Sequence, residues 1–180
     1  MPDKYYIAKE VFDKYIAPIE LPIGFAKTLK PDYVYKSRAQ VLTDKSAMCT
    51  EQVDYAEYIF AQYGLTIDKY HLFAVPKNNR NQVRIDLLHT FIGIPNDQDW
   101  ILFEPGFRVR NRGGVKRFPD KNSGLQYIIN LYKKTLIVDG ISGLEIDLYK
   151  YDFTAENKTF SIFSNQILTQ AQRINLENTL

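Results

Sequence analysis

Two apolar runs, Leu87-Leu88-His89-Thr90-Phe91-Ile92-Gly93-Ile94 and Trp100-Ile101-Leu102-Phe103-Glu104, flank the turn-forming stretch Pro95-Asn96-Asp97-Gln98-Asp99. This pattern predicts an antiparallel β-hairpin, and it constrains the chain more than any other stretch. Pairing Ile94 with Asp99 across a four-residue loop, Pro95 to Gln98, sets His89 opposite Glu104. Directly opposite residues share a face, with Cβ atoms roughly 4.5–5.5 Å apart. A carboxylate there can accept from an imidazole N–H. A slip of one residue would send the two side chains to opposite faces. The aromatic load, 13 Tyr and 11 Phe in 180 residues, agrees with a sheet-containing fold.

The only cysteine, Cys49, lies upstream in Ser46-Ala47-Met48-Cys49-Thr50-Glu51-Gln52-Val53. Val53, Ala56, Phe60 and Tyr63, with Ile59 beside them, recur at helical spacing, and Gly64 offers a left-handed C-cap. The spacing predicts a helix over about 46–63 with Cys49 in its first turn, capped by Asp44 or Ser46. Unpaired backbone N–H groups and the dipole at a helix start activate a thiol. A single cysteine excludes an intramolecular disulfide and a Cys-rich metal site. For an isolated cysteine the competing reading is a buried structural thiol.

Along the rest of the chain, Asp3 is expected to cap a first helix (Tyr5, Ala8, Val11, Phe12, Tyr15, Ile16) that Pro18 ends. Residues 19–31 read as an irregular surface segment, Tyr33-Val34-Tyr35 as a short strand or turn, and 36–45 as a polar, basic lead-in. A strand is predicted over Lys69–Val75, where His71 reads as a packed or edge histidine. The alternation Arg108-Val109-Arg110 suggests an edge strand with a solvated face. A helix capped by Ser123 should follow, ending near Lys134, then a strand from Leu144 with a bulge near Leu148-Tyr149. Thr159 to Phe163 is expected to return as that strand's hairpin partner, and Ser164 to cap a terminal helix. The length suits one domain over 1–180, with a core at about 45–135 and a hairpin-plus-helix extension at about 140–180.

Helix-borne Cys49-Thr50-Glu51-Gln52, strand-borne His89-Thr90-Phe91 and Trp100-Ile101-Leu102-Phe103-Glu104-Pro105 occur in an order that resembles the transglutaminase-like superfamily, closest to small bacterial members. The resemblance spans roughly residues 45–135. It implies an α+β, papain-like fold, with the cysteine helix packed on an antiparallel sheet. It also implies that Cys49 is the nucleophile, His89 the general base and acid, and Glu104 the group that orients the imidazole. Most members carry Asp at the third position and Trp two residues after the His; this chain has Glu104 and Phe91.

The expected chemistry is a thioester acyl-enzyme formed from an amide or ester and passed to water or to an amine. A non-catalytic binding module on the same fold is the alternative. The oxyanion hole would use the Cys49 backbone N–H and a second donor from the preceding loop, for which Gln40 is the candidate. Arg108, Arg110 and Arg112, close to Glu104, could attract an acidic substrate or partner. A peptide or protein substrate is expected, with no metal or other cofactor. A net charge of +2 and the absence of interleaved aromatics among the arginines argue against nucleic acid. No run approaches the roughly 18 apolar residues of a membrane span, and no secretory leader is seen, so a cytoplasmic setting is expected.

Overall fold

A computed structural model describes residues 3–22, 31–77, 84–106, 113–138, 140–141 and 143–176. Helices α1 (Lys4–Val11), α2 (Arg38–Asp44) and α3 (Cys49–Gln62) precede strands β1 (Asp68–Pro76), β2 (Arg84–Pro95), β3 (Trp100–Glu104) and β4 (Gly114–Phe118). Then come α4 (Lys121–Val138), β5 (Leu144–Tyr151), α5 (Phe160–Gln170) and β6 (Gln172–Ile174). The strands form one antiparallel sheet in the order β4-β3-β2-β1-β5-β6. The class is α+β.

Side chains alternate across this sheet and split the core in two. On one face Ile92, Ile94, Ile101 and Phe103 meet α3 (Val53, Ala56, Phe60) and α1 (Ala8, Val11). Farther along that face, Phe73, Tyr149 and Tyr151 pack on α5 through Phe160, Phe163 and Ile167. On the other face Tyr70, Leu72, Phe91, Trp100 and Leu102 receive α4 through Leu125, Ile128, Ile129 and Tyr132. The Trp100 ring fits between two glycines: a Cβ at Gly93 or Gly124 would lie 2.2 Å from it.

Asp3 caps α1, its side chain accepting from Tyr5 N. A π-helical turn, Phe12–Ile16, continues it before Pro18. The polar lead-in differs from expectation: residues 38–44 form α2, opened by a Ser37–Gln40 capping box and burying only Val41. The cysteine helix starts three residues later than expected. Met48 occupies its cap position, Cys49 is its first residue, and Gly64 follows its end at φ +68°.

The C-terminal third departs most. Asp120, rather than Ser123, opens α4, accepting from both Ser123 N and Oγ. β5 pairs with β1 over its whole length without a register shift, so there is no bulge at Leu148-Tyr149. The hydrophobic phase changes there because Leu148 turns toward α4 while Tyr149 and Tyr151 turn toward α5. Thr159 does not begin a returning strand. It caps α5, accepting from Ile162 N, and Phe160, Phe163 and Ile167 follow at helical spacing. Ser164 is buried inside that helix. β5 and β6 extend the main sheet beside β1.

Candidate active site

Pro95 pairs with Trp100 and Ile94 with Ile101, a register two residues away from the expected one. Asn96 and Asp99 close the turn through Asn96 N to Asp99 O (3.2 Å) and Asn96 Nδ2 to Asp99 Oδ1 (2.7 Å), which draws Pro95 into the ladder. A shift of two preserves the face. In this register Glu104 falls opposite Phe91, and His89 becomes its diagonal neighbour, a separation of roughly 7–8 Å between Cα atoms. The longer glutamate arm closes that gap. Glu104 Oε2 lies 2.6 Å from His89 Nε2.

The second carboxylate oxygen is also engaged, because Gly106 N donates to Glu104 Oε1 at 2.7 Å. Glu104 is 1% exposed and His89 5%, so the pair is shielded from solvent screening. Tyr132 of α4 stacks on the imidazole with ring centroids 5.9 Å apart.

With Nε2 turned to Glu104, the other edge of the His89 ring meets Gly106 and Cys49. A Cβ built on Gly106 would stand 2.6 Å from His89 Cε1, 3.3 Å from Nδ1 and 3.2 Å from Cys49 Cβ. The thiol and the imidazole share a side-chain hydrogen bond. Cys49 belongs to the helix on one face of the sheet, whereas His89 and Glu104 belong to the α4 face. They meet around the end of β3, where Pro105 stops the strand. Pro105-Gly106 is legible in the sequence only as a strand break. Its position directly after the acid is the signal that marks Gly106 as part of the site.

The α3 start is held by a second buried carboxylate. Glu51 Oε2 accepts from Met48 N (2.7 Å), and its Oε1 accepts from Tyr33 Oη (2.6 Å) and Lys36 N (2.7 Å). A carboxylate at the third helical position satisfies donors left free by helix geometry. It also fastens the segment around Tyr33–Lys36 to the turn that carries Cys49. Burial raises the Tyr33 pKa, and the Glu51 carboxylate adds to that shift, so the phenol stays a donor.

Burial alone would lower the pKa of His89. The charge of Glu104 and the hydrogen bonds to Cys49 and Glu104 outweigh it and raise the value to about 10 from the ordinary 6.5. The imidazolium is therefore the resting form at neutral pH. A raised histidine pKa contributes stability that is fully present below the unfolded value and is lost as pH rises through the folded one. The gap in Tm between the wild type and Glu104→Gln should narrow as pH rises from 6.5 toward about 10. Thermal denaturation across that window measures it, and a gap that widens would contradict the sign.

Cys49, His89 and Glu104 are thus brought together. Gln40 is not buried with them: it lies exposed on α2, where its Oε1 accepts from Ser37 N at 2.8 Å as part of the capping box. Arg108, Arg110 and Arg112 lie outside the described residues. His71 is fully buried on the α5 face, with Nδ1 3.0 Å from Thr90 Oγ1. A groove of about 750 Å³ lies elsewhere, between α4, β5 and β6. Comparison with protein-family models, curated proteins and solved structures finds no match to this chain.

Proposed function

We propose that the chain is a cysteine enzyme of the transglutaminase-like, papain-fold kind, with Cys49, His89 and Glu104 as its triad. The observation that carries this reading is the buried 2.6 Å contact between His89 Nε2 and Glu104, set beside a cysteine at the first position of α3. An imidazolium facing the thiol supports a thiolate–imidazolium pair, and the helix start favours the negative sulfur.

In this reading the Cys49 sulfur attacks the carbonyl carbon of an amide or ester in a peptide or protein, and the carbonyl oxygen takes up the negative charge. The Cys49 backbone N–H, at the helix start, donates to that oxygen. His89 Nδ1 passes its proton to the departing amine or alcohol as the carbon–heteroatom bond breaks, leaving a thioester. The neutral imidazole then removes a proton from water or an amine, whose attack on the thioester releases the acyl group and restores the thiolate–imidazolium pair. Glu104 holds the ring tautomer and stabilises its charge throughout.

Alkylation by iodoacetamide tests the reading. Cys49 should react faster than glutathione at neutral pH, and His89→Ala should slow it by about 10²-fold or more, in line with general-base effects. Cys49→Ala should leave the fold intact and abolish turnover of peptide substrates. Labelling no faster than glutathione would favour a binding module in place of an enzyme.

A further inference from the structure

Both members of the nucleophile pair are followed by threonine, and the two hydroxyls meet: Thr50 Oγ1 and Thr90 Oγ1 are 3.0 Å apart, both fully buried. Successive side chains on a strand point to opposite faces. His89 therefore faces α4 while Thr90 faces α3 and α5. The threonine contact ties the α3 start to β2 one residue beyond Cys49 on the helix and one residue beyond His89 on the strand.

The tie extends at both ends. The Tyr35 hydroxyl is hydrogen-bonded to the Thr50 side chain, and Thr90 Oγ1 reaches His71 Nδ1 at 3.0 Å. Tyr35 is 1% exposed and His71 0%. The reaction outlined above uses neither. Burial, with the charge of His89 second, holds the His71 pKa near 3, so the ring is neutral; Nδ1 meets Thr90, and Nε2 has no hydrogen-bond partner among the described residues. The line runs Tyr35, Thr50, Thr90, His71, and each threonine hydroxyl meets a partner on both sides. A buried hydroxyl without such partners is costly, which makes the whole line cooperative.

We propose that Tyr35, Thr50, Thr90 and His71 form a positioning chain that sets the distance between Cys49 and His89. The proposal rests on the reading of Cys49 as a nucleophile paired with His89. They act by fixing where α3 begins along β2. The sulfur and imidazole are therefore placed by a hydrogen-bonded seam on the opposite side of the strand from the imidazole itself.

The test is Cys49 alkylation at neutral pH in folded variants. Thr90→Val and Thr50→Val should each slow it by about 5–10-fold, the effect of one net hydrogen bond. The double variant should be no slower than the slower single, as expected for partners in one contact. Thr90→Ser, which restores the hydroxyl, should return the rate to within about twofold of wild type.

Wild-type rates in both valine variants, or failure of serine to rescue, would overturn the proposal. Thr50→Val attacks the same bond from the helix side and decides the matter if Thr90→Val does not fold. Nitrogen NMR should show the His71 Nδ1 resonance shift in Thr90→Val; an unchanged resonance would overturn the place of His71 at the end of the line. Wild type reacting no faster than glutathione would remove the nucleophile reading and this proposal together. Fast wild type with equally fast threonine variants would remove only the positioning chain.

Discussion

Replacing Glu104 with aspartate is expected to slow Cys49 alkylation and peptide turnover by about 10²-fold, the scale of a misplacement of about 1 Å in a catalytic group. The change looks conservative and restores the residue common in the superfamily that the sequence resembles. Geometry makes it damaging. Ile94 pairs with Ile101, so Glu104 lies diagonal to His89 rather than opposite it, and the 2.6 Å contact depends on the longer side chain. Aspartate also loses reach to Gly106 N, now 2.7 Å from Oε1. Glu104→Gln keeps the length but removes the charge that holds the His89 proton, so it should be slow for a different reason. Wild-type rates for Glu104→Asp would show that the diagonal does not require the extra methylene.

The second large effect is expected at Gly106. An added methyl would sit 2.6 Å from His89 Cε1 and 3.2 Å from Cys49 Cβ. The first distance is below any real contact, and both neighbours are buried. Either the imidazole swings from the sulfur or the Pro105-Gly106 segment lifts and releases Glu104 Oε1. Gly106→Ala should therefore cut the alkylation rate by about 10²-fold. Its Tm should move less than that of Glu104→Ala, which leaves a buried imidazole without its counter-charge. Alkylation kinetics and thermal melts on the two variants separate the cases, and an unimpaired Gly106→Ala would show that the segment yields freely.

How much of this was legible depends on where the signal resides. Hairpin, cysteine helix and the shared face of His89 and Glu104 follow from periodicity, which tertiary context seldom overrides when long apolar runs carry it. The exact register did not follow. Pro95 reads as a turn residue, yet the Asn96–Asp99 closure draws it into the ladder opposite Trp100. Parity survived because the shift was even. Helix α2 was missed because it buries only Val41, leaving almost no amphipathic pattern to read. At Thr159 the helical signal was present in Phe160, Phe163 and Ile167, and reading the aromatic run as strand-forming obscured it. The roles of Thr50, Thr90 and His71 were hidden because each lies on a different element, and their contact exists only after the sheet and α3 have met.

The length of β3 carries a consequence for how this protein can change. The strand ends at Glu104, and Pro105, buried at that point, offers no N–H to continue pairing. Further ladder residues would add backbone bonds and bury more surface, and by those measures would strengthen the sheet. They would also fill the gap through which the thiol on one face reaches the imidazole on the other. Selection for a sturdier sheet and selection for a working site thus pull in opposite directions at a single residue. Variants chosen for heat resistance alone should accept substitutions at Pro105 that variants chosen also for activity exclude.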